Sequence, residues 1–310
     1  MSLVAFVFPG QGAQAVGMGR AFYDAYAESR DLYKRANRAV GYDLAALCFE
    51  GPPQELTRTE RCQPALFVTS LAAVAAVHTV APATKPVAVA GLSLGEFTAL
   101  AAVDAISFKD GLYLVQGRAD AMAECAAHHQ GAMLAVVGLS NQDVESVCAS
   151  SGAVGANYNA PEQVVLSGQV SAIERAEQLA KDKGAKRVVR LEVAGAFHSP
   201  LMQPAADILR HALEKIRIQK PQAPVVTNVT GQPVTDPDEI RHLLLRQLVS
   251  PVLWEHSMRT VISLGATHVV EFPPARVLTS LLRRIDKTIK GLAIDEPKDL
   301  AGLAEVLTEE

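Results

Sequence analysis

The stretch VAVAGLSLGEF, from Val87 to Phe97, decides how the chain is organised. A short apolar run precedes Gly91-x-Ser93-x-Gly95, and a helix-like run follows it. Glycines on both sides of a serine permit the sharp strand-to-helix turn that exposes a nucleophilic hydroxyl. The same pattern also fits an ordinary turn serine. A catalytic Ser93 therefore needs a base and backbone N–H donors from elsewhere in the chain.

The segments around this stretch predict an α/β fold with a largely parallel sheet, because strand-like β-branched runs alternate with longer helical runs. Leu3 to Phe8 is the predicted first strand. Pro64 is expected at the first position of a long apolar helix, where its missing N–H costs nothing. The polar tail after Lys290 is expected to be peripheral.

The middle of the chain follows a different order of elements. From Gly131 to Ala194 the pattern predicts strand, helix, two strands, helix and strand, with a capping box at Ser171-x-x-Glu174. This βαββαβ order is that of a ferredoxin-like unit. We therefore predict an α/β-hydrolase-like catalytic domain made of residues 1–130 and 195–310, with a small ferredoxin-like subdomain inserted at 131–194.

Composition excludes several classes of function. The chain has 310 residues, 49% of them hydrophobic, and a formal charge of -4, so nothing general attracts it to nucleic acid or to an anionic membrane. Its N-terminus lacks a basic n-region, and its alanine-rich runs are too short or interrupted for a membrane span. The four cysteines (Cys48, Cys62, Cys125 and Cys148) form no CxxC pair. We expect a cytoplasmic protein without a metal site.

One of the eight histidines has the setting of a catalytic base. His198 follows a predicted strand and a Gly-Ala turn in GAFHSP, just before a helix, although a solvated loop histidine fits the same position. The backbone N–H groups of Leu94 and of Gln11, in the loop after the first strand, are the natural oxyanion donors. Alternatively, Gly10 and Gly12 only form a tight turn. Without GxGxxG or a Walker lysine, a nucleotide site is not supported.

Taken together, the motifs resemble those of the malonyl-CoA:acyl carrier protein transacylases, the family of bacterial fatty-acid synthesis and of polyketide acyltransferases. The resemblance covers nearly the whole length of the chain. It rests on FPGQGAQAVGMG (Phe8 to Gly19), QPAL (Gln63 to Leu66), GLSLGEFTALAA (Gly91 to Ala102), Arg118 with Met122, GAMLAVVGL (Gly131 to Leu139), NYNAPEQVVLSG (Asn157 to Gly168), GAFHSPLM (Gly195 to Met202) and QLVSPVLW (Gln247 to Trp254).

The resemblance implies a role for each matching position. Ser93 would carry the acyl group, His198 would act as base and acid, and the Gln11 and Leu94 amides would form the oxyanion hole. The backbone carbonyl near Gln247 would orient the histidine in place of a triad aspartate. A buried Arg118 would clamp the free carboxylate of malonyl. The other implied substrate-binding residues are Gln63, Asn159 and Phe197.

Two positions bear on specificity. Phe197, in GAFH, matches the malonyl-type HAFH of polyketide acyltransferases in three of four positions, and its ring would occupy the space that an α-methyl group needs. The family usually has GHSxG, whereas this chain has Leu92 before Ser93, which leaves open what replaces the histidine's contacts. The EFPPARVL segment and Ala119 also depart from the usual pattern.

The resemblance implies malonyl-CoA and an acyl carrier protein as substrates, with no cofactor. We expect a monomer, because the cleft must admit a carrier domain. Because carrier proteins are acidic, basic clusters are candidate docking sites. They are Lys181, Lys183, Lys186, Arg187 and Arg190 in the inserted segment, and Arg283, Arg284 and Lys287 near the C-terminus. Two alternatives remain: an acyl hydrolase on the same fold, which would not need Arg118, and a non-catalytic docking module, which would not need Ser93 and His198.

Overall fold

The computed structural model describes residues 3–308, in which ten strands form two sheets. The strands are β1 (Val4–Phe8), β2 (Val89–Gly91), β3 (Gly131–Val137), β4 (Val154–Ala160), β5 (Gln163–Gln169), β6 (Arg187–Arg190), β7 (Val225–Val226), β8 (Pro233–Val234), β9 (His268–Glu271) and β10 (Lys290–Ala293).

The helices surround both sheets. They are α1 (Arg20–Ala25), α2 (Ala27–Val40), α3 (Leu44–Glu50), α4 (Pro53–Thr57), α5 (Thr59–Val80), α6 (Gly95–Ala102), α7 (Phe108–His128), α8 (Asn141–Ser151), α9 (Val170–Asp182), α10 (Gln203–Glu214), α11 (Pro237–Gln247), α12 (Trp254–Ser263), α13 (Val277–Ile285) and α14 (Leu300–Thr308). Short 3₁₀ turns lie at Pro200–Met202 and Pro297–Asp299.

The larger sheet has the strand order β10-β9-β1-β2-β7-β8 and is parallel except for β8, which forms an antiparallel hairpin with β7. All five residues of β1 are buried, as expected of a parallel strand covered on both faces. Phe8, at the end of β1, pairs with Gly91, at the end of β2. The Gln11 loop and the Ser93 turn therefore leave the sheet side by side, at its carboxyl edge.

The smaller sheet has the order β4-β5-β3-β6 and is antiparallel throughout. Its elements follow one another along the chain as β3-α8-β4-β5-α9-β6, which is the order of a ferredoxin-like unit. Helices α8 and α9 pack on the sheet around a separate apolar core. Two backbone hydrogen bonds tie β4 to the rest of the fold, from Tyr158 N–H to Val252 O (2.9 Å) and from Val252 N–H to Ala156 O (2.8 Å).

The start of α5 differs from the sequence prediction. The helix begins at Thr59, so Pro64 lies inside it and not at its first position. Proline has no N–H to donate one turn back, which leaves the Glu60 carbonyl without its helical partner. The side-chain amide of Gln116 on α7 donates to that carbonyl instead, over 3.2 Å. A tertiary contact thus makes the internal proline tolerable.

Two further local predictions are wrong. Helix α9 begins at Val170 with Gln169 as its N-cap and no side-chain cap hydrogen bond, so Ser171 lies inside the first turn and forms no capping box. The tail after Lys290 is not peripheral, because β10 pairs with β9 in the large sheet and buries Ile294 and Leu303 completely. Composition alone does not predict that a short apolar segment such as β10 will pair with the edge of a sheet formed by distant residues.

Helix α5 is also longer than the sequence analysis allowed. Its 22 residues are long and apolar enough to cross a membrane by length and composition, with a mean hydropathy of 1.4 over an 18-residue window. However, 78% of that window is buried inside the protein, against α2 and α7 among others. The helix therefore has the surroundings of a core helix.

Candidate active site

The Ser93 turn between β2 and α6 is held by close backbone packing. Ser93 has φ +53°, in the left-handed region that non-glycine residues rarely adopt. A Cβ on Gly91 would overlap the backbone of Gly95, and a Cβ on Gly95 would overlap the carbonyl oxygen of Phe8. Asn228 secures the turn from outside, accepting from Ser93 N–H and donating to Gly91 O, both over 2.7 Å. Both glycines are therefore required by the geometry.

His198 contacts the Ser93 hydroxyl. Its Nε2 lies 2.7 Å from Ser93 Oγ, and its Nδ1 lies 3.0 Å from the backbone oxygen of Gln247. Since a carbonyl only accepts, Nδ1–H donates to it and Nε2 is left to accept from the serine. Burial, and then the charge of Arg118, lower the pKa of His198 to about 4. The imidazole is therefore neutral at pH 7 and able to take a proton.

Arg118 on α7 is fully buried beside the same hydroxyl. Its Nη2 donates to Ser93 Oγ over 2.9 Å and to the Gln247 side-chain oxygen over 3.1 Å, and its Nη1 donates to Gln63 Oε1 over 2.6 Å. Its Nε has no partner among residues 3–308. Burial lowers the pKa of Arg118 to about 10, so the guanidinium stays charged at neutral pH.

Glu96 on α6, which the sequence analysis did not single out, completes this network. It is 2% exposed, and its Oε2 accepts from Gln247 Nε2 (2.7 Å) and from Asn228 N–H (3.1 Å). Burial raises the pKa of Glu96 to about 7, against the opposing effects of Gln247, Asn228 and the Arg118 charge. Its place three residues after Ser93 was a visible signal, whereas nothing in the sequence around Asn228 indicated a role.

Two of the residues that line the cavity with Ser93 are the predicted oxyanion donors. Gln11 and Leu94 both line the cavity beside it, and neither amide has an acceptor within the described part of the chain. The side chain of Gln11 is held by a hydrogen bond from its Nε2 to Thr59 Oγ1 (3.2 Å). Unpaired N–H groups beside a nucleophile are suited to receive a developing oxyanion.

The cavity has a volume of about 550 Å³ and lies between the large sheet's carboxyl edge, the small sheet and α13. Phe197, Asn159 and Leu92 line it together with the residues above. The side-chain oxygen of Asn159 is buried without a hydrogen-bond partner in residues 3–308. The structure thus brings together all of the predicted site residues.

The two predicted basic clusters differ in their position relative to the cavity and in their contacts. Arg284 lines the cavity and donates to Gln163 Oε1 and to Pro161 O, so it joins α13 to the small sheet. Arg276, which the sequence analysis did not name, also lines the cavity. In the inserted segment, four cations form ion pairs with nearby carboxylates: Lys181, Lys183, Lys186 and Arg190.

Over residues 3–308 no group of three or more His, Cys, Asp or Glu side chains is arranged to hold a metal ion. A serine and a neutral histidine are in contact at the edge of a parallel sheet, beside two backbone N–H groups that have no acceptor in residues 3–308. This is the arrangement that α/β enzymes use on acyl compounds. Residues 5–302 match the family model of the acyl transferase domain. The chain belongs to this family and is an acyltransferase.

The chain is similar to named relatives in sequence and to a solved structure in fold over nearly its whole length. It is 38% identical to a malonyl CoA-acyl carrier protein transacylase of Bacillus subtilis, over 100% of this chain and 99% of the relative. It is 40% identical to the protein of that name from Escherichia coli K12, over 99% and 100%. A structure of a type II PKS acyl-carrier protein with its malonyl-transacylase superimposes with a TM-score of 0.94 at 37% identity, covering 98% of this chain and 99% of that one.

Proposed function

We propose that the protein transfers a malonyl group from malonyl-CoA to the phosphopantetheine thiol of a holo acyl carrier protein, through an ester on Ser93. The observation that carries the proposal is a buried guanidinium in contact with the nucleophile: Arg118 Nη2 lies 2.9 Å from Ser93 Oγ. A permanent cation at this distance suits an acyl group that brings its own carboxylate. The names of the relatives support the same substrate.

In the first half-reaction, Ser93 Oγ attacks the thioester carbonyl while its proton passes to Nε2 of His198. The Gln11 and Leu94 amides receive the oxyanion. When the C–S bond breaks, His198 returns the proton to the sulfur, so that coenzyme A leaves as a thiol and malonyl-Ser93 remains. The Gln247 carbonyl stabilises the transient imidazolium through Nδ1–H, the part that an aspartate has in a triad.

The second half-reaction repeats these steps in reverse order with the carrier's thiol. His198 takes the thiol proton, the sulfur attacks the malonyl-Ser93 carbonyl, and Ser93 Oγ leaves with the proton from His198. No cofactor is required, because both half-reactions are acyl exchanges without a change of oxidation state. Water in place of the thiol would give free malonate, so exclusion of water decides between transfer and hydrolysis.

Acyl selectivity follows from two side chains on either side of Ser93. The malonyl carboxylate would take donors of Arg118 that now point to Ser93 Oγ and Gln247. Phe197, 6% exposed and next to the base, restricts space at the acyl α-carbon. Gln63 holds the guanidinium in place, and the unpaired oxygen of Asn159 is available to an amide N–H of the pantetheine arm.

The carrier protein would dock over the cavity mouth, where Arg276 and Arg284 lie. We propose a monomer, whose open cleft admits a carrier domain, working in the reducing cytoplasm, where its four free cysteines stay reduced. A monomer is checked by light scattering during gel filtration.

The test uses malonyl-CoA labelled in the acyl group, followed by a holo carrier protein. We expect stoichiometric label on Ser93, located by peptide mass spectrometry, and its transfer to the carrier thiol. Absence of label on the protein would refute the covalent route. Label that reaches Ser93 and appears mainly as free malonate in the presence of the carrier would identify a hydrolase.

A further inference from the structure

A second charged residue lies buried behind the nucleophile. Glu96 is 2% exposed, and its Oε2 accepts from Gln247 Nε2 and from Asn228 N–H. Asn228 also accepts from Ser93 N–H, so Glu96 is two contacts from the nucleophile's backbone. An ionised carboxylate at such depth is costly unless a cation compensates it.

That cation is Arg118, reached through the Gln247 side chain. The Gln247 oxygen accepts from Arg118 Nη2, and the Gln247 Nε2 donates to Glu96 Oε2 and to Ser93 O. The backbone oxygen of the same glutamine faces His198 Nδ1. One amide thus lies between the buried anion and the buried cation, and the same residue orients the base.

We propose that Glu96 tunes the selectivity of the site for a carboxylated acyl group: it positions Gln247 and, as the internal anion, competes with the acyl carboxylate for Arg118. The inference rests on the proposed malonyl transfer. With malonyl bound, two carboxylates share one guanidinium, and an ionised Glu96 opposes binding. With an uncharged acyl group, Glu96 remains the counter-ion of Arg118 and no competition arises.

Burial raises the pKa of Glu96 to about 7. Its charge therefore changes within the pH range in which transfer rates can be measured. Arg118 on α7 is the charge that acts on it, and β1 and β2, beneath α6, carry no ionisable side chain. On α5, burial raises the pKa of Cys62 to about 12, so this thiol is neutral. His198 titrates near pH 4, outside the working range.

The experiment compares kcat/KM for malonyl-CoA and acetyl-CoA at pH 6 and pH 8, with one carrier protein. In the ratio of the two kcat/KM values, the effects of titrating groups that change both reactions equally cancel. In the wild-type protein we expect the malonyl-to-acetyl ratio to fall roughly three- to tenfold as pH rises and Glu96 ionises. In Glu96→Gln, which keeps the oxygen that accepts from Gln247 and Asn228, the ratio should stay at its high value throughout.

Two variants separate charge from structure. Glu96→Asp keeps the carboxylate, so the pH-dependent ratio should persist even where both rates fall. Glu271→Gln changes another buried glutamate, which accepts from Leu278 and Thr279 on α13, and should retain the wild-type ratio profile. The inference would be overturned by a malonyl-to-acetyl ratio that does not change with pH in the wild type, or by a ratio in Glu96→Gln that falls with pH as it does in the wild type. Loss of malonyl labelling in the wild type would instead refute the proposed function.

Discussion

The two sides of the cavity are built differently. On the floor, Ser93, His198 and Arg118 hold one another by hydrogen bonds of 2.7 and 2.9 Å. On the opposite wall, β4 presents Asn159, whose side-chain oxygen is buried and has no partner within residues 3–308. A ligand donor that pairs with this oxygen contributes about 0.5–1.5 kcal/mol net. The nucleophile and the base on the floor are therefore in contact before substrate arrives, whereas the Asn159 oxygen on the wall has no partner until a ligand supplies one.

The largest effect should come from removing the floor's nucleophile. Ser93→Ala deletes the atom that carries the acyl group, and transfer should fall roughly 10⁴- to 10⁶-fold. Transfer rates measured with a coupled carrier-protein assay check this. Ser140→Ala, which removes the N-cap of α8, is the control: stability falls by about 1 kcal/mol while transfer is retained. Residual turnover within tenfold of wild type would contradict a Ser93 ester.

Removing the floor's cation should be selective. Arg118→Ala leaves the malonyl carboxylate buried without its partner, which costs about 2–5 kcal/mol, or roughly 30- to 4,000-fold in kcat/KM. Acetyl transfer should fall much less, by the amount due to the unpaired oxygens of Gln63 and Gln247. Steady-state kinetics with both thioesters measure the difference. Equal losses for the two acyl groups would show that Arg118 positions Ser93 without recognising the carboxylate.

The buried titratable groups at and below the floor, His198 and Glu96, should also make the stability of the protein depend on pH. His198, with a pKa lowered from 6.5 to about 4, costs stability as pH falls from 6.5, because the unfolded chain binds the proton more tightly. Glu96, with a pKa raised from 4.5 to about 7, acts oppositely and costs stability as pH rises from 4.5 to 7. In the wild-type protein the two effects oppose each other between pH 4.5 and 6.5.

Glu96→Gln removes one of these opposing effects. Relative to wild type, the variant's free energy of unfolding should gain about 3 kcal/mol between pH 4.5 and pH 7. Urea unfolding followed by circular dichroism at a series of pH values gives this difference. Parallel stability curves for the two proteins would mean that folding does not change the pKa of Glu96.

The wall should give the smallest effect. Asn159→Ala removes an oxygen that pairs with nothing in the free protein, so stability should change by less than about 1 kcal/mol. The KM values for malonyl-CoA and acetyl-CoA should rise together, by about threefold, because both carry the same pantetheine arm. A rise for one thioester alone would place Asn159 against the acyl group instead.

The local amino-acid pattern was sufficient to predict those parts of the fold that depend on residues close together in the sequence. The Ser93 turn depends on Gly91 and Gly95, which are adjacent to it, and the alternation of elements around it is regular. The Glu96 and Gln247 contact was hidden, since 151 residues separate the partners. Likewise, Pro64 inside α5 depends on a distant amide from Gln116. Contacts between residues that are distant in the sequence produce no periodic pattern from which they could be predicted.

The attachment of β4 has a mechanical consequence. Val252 exchanges backbone hydrogen bonds with edge strand β4 of the small sheet, accepting from Tyr158 N–H and donating to Ala156 O. Arg284 joins α13 to Pro161 and Gln163 next to the end of β4. Swinging the small sheet outward as a lid would break these bonds together, at about 0.5–1.5 kcal/mol for each neutral bond. These hydrogen bonds therefore oppose widening of the cleft between the small sheet and α13.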